Sequence, residues 1–230
     1  VGPIQGGLHF DLVKESAKKM AELPFEIYAL GSPTGVMEKY LFTDLVDMIV
    51  SARSQIPESR PFHLFGAGHP FMLALAVALG CDLFDSAAYA IFAREDRYMT
   101  DWGTVRLSNL EWLPCSCPIC MRNEPRDLLE LSKDERFEAL SRHNLYRCVA
   151  EIQRIKQSIR EGRLWEHLEV RARGHPSLLS ALKNLKRYVE YLEKRSPVTK
   201  RRGIFFFDSS GLVRPEVHRH VERLSLIHIS

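Results

Sequence analysis

The sequence has few cysteines and no long apolar run. Only five cysteines occur in 230 residues, and no secretory leader is recognised at the start, so a disulfide framework is not expected. The most apolar stretch, residues 70–80, is far too short to cross a bilayer, so we expect no membrane association and a cytoplasmic location. At 45% apolar residues, the chain has enough apolar material to bury a core.

Three of the five cysteines are concentrated in the run Leu-Pro-Cys-Ser-Cys-Pro-Ile-Cys-Met. They are Cys115, Cys117 and Cys120, and His143 follows 23 residues after the last one. Thiolates this close can surround one point, and an imidazole returned by a helix would complete the tetrahedron that zinc prefers. The alternative is three unrelated buried thiols. Because three thiolates and one imidazole leave zinc no open position, we predict one structural Zn2+ and catalysis elsewhere.

Positive charge is unevenly distributed along the chain. Residues 144–203 contain 15 lysines and arginines against 6 acidic residues, whereas the rest of the chain contains 17 against 23. A basic segment joined to a mildly acidic body suggests a polyanionic partner. Solvated faces of ordinary charged helices explain the same pattern equally well, so charge alone does not decide.

Short apolar segments alternate with helical patterns through the first half of the chain. Each of four such segments ends in small or polar residues; they are residues 2–7, 27–31, 63–68 and 82–86. Apolar spacing predicts intervening helices at 10–23, 37–52 and 70–79. Repeated strand–turn–helix units predict a parallel sheet in an α/β fold, which is either half of a (β/α)8 barrel or most of a doubly wound sheet.

In both of these folds the functional residues lie at the carboxyl ends of the strands. These ends carry Gln5, Gly31, Phe65 and Asp85. The glycine would let the backbone approach a flat ligand, Gln5 offers an amide donor and acceptor, and Phe65 can stack on an aromatic ring. Turn formation and core packing are simpler explanations, and the residues alone favour them. Asp85 fits a helix cap better than a nucleophile or base on the same grounds.

The second half of the chain is helical in pattern. Apolar spacing predicts one helix over 136–160, ended by Gly162, and another over 177–195. His143 would lie on the first helix, a rigid platform from which to reach a metal. Residues 204–207 are predicted as a strand. The remaining cysteines, Cys81 and Cys148, are predicted to be small buried hydrophobic residues.

Five segments, taken in order, resemble the tRNA-guanine transglycosylase family and most closely its archaeal branch, the archaeosine enzymes. The segments are Gly-Pro-Ile-Gln-Gly-Gly at 2–7, Tyr-Ala-Leu-Gly at 28–31, Arg-Pro-Phe-His-Leu-Phe-Gly-Ala-Gly-His-Pro at 60–70, Gly-Cys-Asp-Leu-Phe-Asp-Ser-Ala at 80–87, and the cysteine motif with His143. One glycine-rich match would be weak evidence. Five ordered matches that end in Cys-x-Cys-x-x-Cys are specific, and they extend over about residues 2–215.

The resemblance implies the family's fold, a (β/α)8 (TIM) barrel with a zinc-binding insertion. Residues 1–112 would form the C-terminal half of the barrel, 113–165 the zinc-binding subdomain and its helix, and 166–197 a basic helical connector. Residues 198–223 would begin a C-terminal RNA-binding region that is truncated here.

The resemblance also implies a reaction, base exchange in tRNA. Asp85 matches the family's nucleophile, which would attack the ribose C1′ of a guanosine, expel guanine and be displaced by 7-cyano-7-deazaguanine, the base used by the archaeal branch. Gln5, Gly6 and Gly31 match base-binding positions, and Phe65 matches the residue that stacks against the base.

Further implications concern the partners. Arg94 and Arg97 follow shortly after Asp85 and would suit contacts with tRNA phosphates. A homodimer is typical of the family and is expected here, with one zinc ion in each chain.

The chain also departs from the family. The second catalytic carboxylate, a general base, belongs to the first half of the barrel, which this sequence does not contain, and Ser32 stands where a second glycine is frequent. Val1 is not a start methionine, and residues 224–230, Leu-Ser-Leu-Ile-His-Ile-Ser, look like a translated sequencing adapter. We therefore expect a fragment that is inactive alone, and two unpaired sheet edges would work against its folding.

Other functions stay open. A non-catalytic tRNA-binding or dimer-forming paralogue would keep the barrel and zinc for shape, although Asp85 beside Gln5 and Phe65 argues against it. Archaeosine synthase shares a transglycosylase-like barrel and performs an amidation in another part of its chain. If the predicted fold is correct but the family assignment is not, the alternative is a zinc-stabilised barrel that processes sugars.

Overall fold

Four short parallel strands form a sheet in the first half of the computed structural model, which describes residues 1–200 and 205–227, with side chains to residue 223. The strands pair in chain order and are β1 (Gly2–Ile4), β2 (Tyr28–Leu30), β3 (Phe62–Leu64) and β4 (Leu83–Phe84). The predicted parallel sheet is confirmed. Its strands are shorter than predicted because the turn residues after each strand leave the ladder. Four strands do not close a barrel, so the barrel remains a prediction.

The described residues also form eleven α-helices and a two-stranded antiparallel ribbon. None of these helices has the length and apolar composition that a membrane crossing needs. The ribbon consists of β5 (Arg97–Met99) and β6 (Thr104–Arg106). The helices are α1 (Phe10–Ala21), α2 (Thr34–Glu38), α3 (Phe42–Arg53), α4 (Pro70–Ala78), α5 (Ala88–Arg94), α6 (Pro125–Glu130), α7 (Lys133–Glu161), α8 (Leu164–Ala172), α9 (Pro176–Asn184), α10 (Val189–Arg195) and α11 (Pro215–Ile227).

Three predicted elements are wrong in detail. The helix predicted over 37–52 is the pair α2 and α3, because the chain between them turns through Tyr40 at a φ of 56°. The helix predicted over 177–195 is interrupted by a 3-10 turn at Leu185–Tyr188. Residues 205–207 form no strand, and Ile204, the first residue of that predicted strand, lies outside the described residues.

The core lies on one face of the sheet. Ile4, Leu30 and Leu64 are fully buried there with residues of α1, α3 and α4. Side chains alternate between the two faces of a strand, so Pro3 and Leu83 point to the opposite face, and both are exposed. The described residues therefore cover only one face of the sheet fully.

The long helix α7 begins and ends at strong local signals. Ser132 and Glu135 form a reciprocal capping box at its start, and Gly162 ends it in the left-handed conformation, with a φ of 69°. The predicted helix over 136–160 is confirmed and extends one turn further at its start.

One buried side chain joins α7 to the segment that follows the sheet. Asn144 is fully buried, and its amide donates hydrogen bonds to the carbonyls of Tyr89 (3.0 Å) and Arg97 (3.2 Å). Its oxygen accepts a hydrogen bond from the backbone N–H of Met99 at 2.8 Å. Because all of these polar groups satisfy one another, α5 and β5 are held to α7 in one arrangement.

A buried charge network ties α7 to α8 and to the ribbon turn. The carboxylate of Glu151 is fully buried and accepts hydrogen bonds from His167 at 2.8 Å and from Arg171 at 2.8 Å through its Nε. Arg171 and Arg147 also reach Asp101 in the ribbon turn. Burial alone would raise the pKa of Glu151, but the bonds from His167 and Arg171 lower that pKa to about 2.

Replacing Glu151 with glutamine should lower the free energy of unfolding at pH 7 by about 3 kcal/mol, because Arg171 then stays buried without its carboxylate. The pKa of Glu151 is lower in the folded chain than its usual value of 4.5. Its contribution is therefore complete above pH 4.5 and is lost as the pH falls towards 2, so the difference between variant and wild type should shrink over that range. Urea denaturation followed by circular dichroism at several pH values measures this.

The matched control for this prediction is Glu138→Gln, on the exposed face of the same helix, where Glu138 pairs with Arg142 in solvent. Such exposed pairs contribute little, so this change should alter the free energy of unfolding by less than about 0.5 kcal/mol. A Glu151→Gln chain as stable as wild type at pH 7 would contradict the assigned role of the network.

Candidate functional site

The register of the sheet brings four predicted site residues to one edge. Ile4, Leu30, Leu64 and Phe84 lie level with one another across the four strands. The next residue in each strand is, in order, Gln5, Gly31, Phe65 and Asp85. These four residues consequently form a row at the carboxyl edge of the sheet, where α/β folds bind their ligands.

Asp85 is anchored through one of its two carboxylate oxygens. Its Oδ1 accepts a hydrogen bond from the backbone N–H of Gly66 at 2.8 Å and lies 2.8 Å from Nε2 of His63. Its side chain is 48% exposed, and Oδ2 has no hydrogen-bond partner among the described residues. Asp85 does not cap the following helix: its N-cap residue is Ala87, and the N–H of Ala88 donates to the Ser86 hydroxyl at 3.0 Å. The helix-cap explanation for Asp85 is therefore wrong.

Gln5 and Gly31 fit closely together at the other end of the row. A Cβ added at Gly31 would lie 2.3 Å from Nε2 of Gln5, so only glycine leaves room for the amide. The Gln5 Oε1 accepts a hydrogen bond from the Ser32 hydroxyl at 3.0 Å. Ser32 itself has a φ of 65°, a conformation that favours glycine, which explains why glycine would suit that position. Gly6 packs against α1, where a Cβ would lie 2.6 Å from the backbone nitrogen of Val13.

Phe65 provides an apolar surface between these polar groups. Its side chain is 55% exposed although it is large and aromatic, and it meets the His63 ring at a centroid distance of 5.6 Å. The simpler explanation, that Phe65 packs in the core, is therefore wrong. An exposed ring at the same edge as a carboxylate and an amide can receive a flat polar ligand.

His63 belongs to the candidate site, although it was not predicted from the sequence. It lies on β3, two residues before Phe65, and side chains two apart on a strand share a face. That alternation, together with the position of Asp85 at the end of the neighbouring strand, was the available signal.

The two arginines after Asp85 are placed differently from each other. Arg94 is exposed, with its guanidinium 5.5 Å from the ring centroid of Phe137. Arg97 bonds through Nε to the Thr104 hydroxyl at 2.8 Å and lies over the ring of Phe92. Arg97 is thus engaged within the fold, whereas Arg94 is open to a ligand. Phosphate binding by either residue remains a prediction.

The predicted metal ligands are brought together. Nδ1 of His143 lies 3.5 Å from the Cys117 sulfur and 3.3 Å from the Cys120 sulfur, and these two sulfurs are 3.5 Å apart. The donor atoms of Cys115, Cys117, Cys120 and His143 all lie within 4.8 Å of one another. Three soft sulfur donors and one imidazole at this spacing can hold one metal ion.

The imidazole of His143 is prepared for binding through Nδ1. Its Nε2 lies 3.0 Å from the carbonyl oxygen of Met99, to which it donates, so Nδ1 presents its lone pair to the thiols. Burial lowers the pKa of His143 to about 4, which keeps the ring neutral at pH 7, the form that binds metals.

Tyr98 supports the metal ligands in a way that the sequence did not reveal. Its ring stacks on the His143 ring with centroids 3.7 Å apart, and its hydroxyl lies 3.3 Å from the Cys120 sulfur. Burial and the neighbouring sulfurs raise the pKa of Tyr98, so the phenol stays protonated and can donate to a Cys120 thiolate. Hydrogen bonds of this kind orient ligands and adjust their basicity.

Replacing Tyr98 with phenylalanine should weaken metal binding about 10- to 100-fold, because the Cys120 thiolate loses its donor while ring stacking is kept. Cys117→Ser removes a ligand outright and should weaken binding further. Competition with a chromophoric chelator measures both. Tyr146→Phe, at an exposed tyrosine on α7, the helix that carries His143, is the control. Equal affinities for Tyr98→Phe and wild type would show that the hydroxyl has no part in the site.

Comparison with known proteins gives this geometry a context. The family model described as "TGT: Queuine tRNA-ribosyltransferase" matches residues 1–177. The chain is 48% identical over 226 residues to the tRNA-guanine(15) transglycosylase of Methanocaldococcus jannaschii, covering 97% of this chain and 34% of that protein. The protein of the same name from Sulfolobus acidocaldarius is 46% identical over 231 residues, covering 99% of this chain and 46% of that protein.

The similarity is thus nearly complete along this chain and partial along its relatives. The chain spans between a third and a half of the length of these curated relatives. The family model alone covers most of the chain, including the row at the sheet edge and the cysteine cluster. The chain belongs to the queuine tRNA-ribosyltransferase family.

Proposed function

We propose that this chain forms part of an archaeosine-type tRNA-guanine transglycosylase, which replaces a guanine in tRNA with 7-cyano-7-deazaguanine. The observation that carries this proposal is the row of Gln5, Gly31, Phe65 and Asp85, with a half-exposed carboxylate beside an exposed aromatic ring. The names of the relatives support tRNA as the substrate and guanine as the base that is exchanged.

Asp85 is the proposed nucleophile. Its carboxylate attacks C1′ of the ribose, the bond between C1′ and the guanine nitrogen breaks, and a covalent aspartyl–ribose ester forms. The incoming base then attacks C1′ and returns the carboxylate to its free state. A carboxylate suits both steps because it can add to an oxocarbenium-like centre and leave again, as it does in retaining glycosidases. The proton transfers require a general base, which the sequence resemblance assigns to a part of the family barrel outside this chain.

The base would lie flat in the row. Phe65 stacks against its ring, and the Gln5 amide donates to and accepts from its polar edge. Gly31 leaves room for the Gln5 amide, and the backbone groups of Gly6 and Gly31 are further proposed contacts for the base. Ser32 holds the Gln5 oxygen at 3.0 Å, which leaves the Gln5 amide N–H groups free to face the ligand.

The remaining parts of the proposal concern the barrel, the metal and the partners. The sheet order β1-β2-β3-β4 is that of consecutive barrel strands, whereas a doubly wound sheet reverses its order at a switch point, so the order supports a (β/α)8 barrel. The family resemblance assigns these strands to its second half. We propose zinc as the metal because three thiolates and an imidazole are a typical closed zinc set. Its role would be structural. Arg94 and Arg97 as phosphate contacts, a homodimer and a cytoplasmic location complete the proposal.

The experiments use a chimaera in which this chain replaces the matching segment of the Methanocaldococcus jannaschii relative, since that protein supplies the remaining two thirds. The chimaera is incubated with unmodified tRNA, and a protein–tRNA adduct is sought on a denaturing gel.

The chimaera should form the adduct, and Asp85→Ala should form none while still binding tRNA in a native gel. Base exchange measured with labelled guanine should fall about 1,000-fold or more, because covalent catalysis contributes several kcal/mol to the barrier. Asp134→Ala, an exposed aspartate in the first turn of α7, is the control. Exchange by Asp85→Ala within about tenfold of the parent would exclude Asp85 as the nucleophile, and an unmodified chimaera that binds tRNA without forming an adduct would favour the binding paralogue.

Gly31→Ala should raise the KM for the base about tenfold or more, because the new methyl group displaces the Gln5 amide. Steady-state exchange kinetics with varied base concentration measure this. Gly35→Ala is the matched control, since a Cβ there meets no atom within 4 Å. A Gly31→Ala enzyme with an unchanged KM would remove Gln5 and Gly31 from the proposed base site.

A further inference from the structure

We infer that His63 is a positioning residue for Asp85: it fixes Oδ1 of the carboxylate and so leaves Oδ2 as the oxygen that attacks the ribose. This inference rests on the proposed function. It concerns which atom of Asp85 reacts and what holds that atom in place.

The hydrogen bonds at Asp85 are strictly divided between its two oxygens. Oδ1 has two partners at 2.8 Å, the Nε2 of His63 and the backbone N–H of Gly66, whereas Oδ2 has none among the described residues. An ionised carboxylate only accepts hydrogen bonds. Nε2 of His63 is therefore the N–H nitrogen of the ring, and it donates the hydrogen bond to Oδ1. Two donors on one oxygen fix the rotation of the carboxylate and direct the other oxygen outwards.

The sheet and the loop after β3 fix both donors. His63 lies level with Leu83 on β4, and Asp85 is two residues further along that strand direction, so the histidine reaches diagonally across the strands. Gly66 has a φ of 74°, and a Cβ there would lie 2.7 Å from the Thr34 hydroxyl. Glycine is therefore needed for the turn that aims this N–H at Oδ1.

The same two donors serve both chemical steps. In the first step Oδ2 forms the bond to C1′ while Oδ1 stays hydrogen-bonded, so the nucleophile does not have to search for its orientation. In the second step the bond from C1′ to Oδ2 breaks and its electron pair returns to the carboxylate. The N–H groups of His63 and Gly66 stabilise that returning charge, since hydrogen bonds to ionised groups are stronger than those to neutral ones.

The donor role distinguishes His63 from a residue that merely fills space. Glutamine places an amide N–H close to the position of Nε2, whereas leucine keeps the bulk and removes the donor. His63→Leu in the chimaera should lower kcat for base exchange about 10- to 100-fold, with the KM for tRNA changed less than about threefold. His63→Gln should recover kcat to within about fivefold of the parent. His220→Leu, an exposed histidine on α11, is the control.

Folding is checked in each variant by metal content and by tRNA binding in a native gel. Rates of adduct formation and of adduct breakdown on adding base are measured separately, and both should fall in His63→Leu. A His63→Leu enzyme with the parent's kcat would overturn the inference, as would a His63→Gln enzyme as slow as His63→Leu. Failure of the unmodified chimaera to form any adduct would instead refute the proposed function, so the two failures are distinguishable.

Discussion

Backbone hydrogen bonds between parallel strands determine where the candidate site of this chain lies. Ile4, Leu30, Leu64 and Phe84 are level in the ladder, so the four residues that follow them meet at one edge. The first and the last of these four, Gln5 and Asp85, are 80 residues apart in the chain. A shift of one residue in any pair would turn one of these side chains to the other face. The buried residues on the helix side of the sheet resist such a shift, so the core and the site are specified together.

The metal cluster and the sheet edge are connected through α7. His143 and Asn144 are neighbours on that helix; the first faces the cysteines and the second bonds to α5 and β5. Helix α5 begins three residues after Asp85. A metal held by His143 would therefore fix the position of α7. Through Asn144, α7 in turn holds α5 and β5, which follow Asp85 in the chain. A metal in this cluster could therefore support the candidate site without touching it.

Periodic and motif-based signals predicted most of the architecture. The sheet, α7 and the four clustered metal ligands followed from apolar spacing, glycine stops and cysteine spacing, which are local properties. The break at Tyr40 and the 3-10 turn at Leu185–Tyr188 did not, because tertiary packing outweighed helical spacing there. Cys81 is buried as predicted, but Cys148 is only partly buried, with its sulfur 3.4 Å from the carbonyl of Gly68. The roles of His63 and Tyr98 depend on contacts between distant segments, which no single stretch of sequence encodes.

Part of the excess positive charge is paired with carboxylates of the chain itself. At least seven of the fifteen basic residues of the segment 144–203 form ion pairs, and five of their partners lie outside that segment: Asp47, Glu58, Asp101, Asp208 and Glu216. These ion pairs therefore connect the basic segment to the rest of the chain. Cations that are held in such pairs do not displace counterions from a polyanion, so the salt dependence of any RNA contact made here would be shallower than the local excess of positive charge suggests.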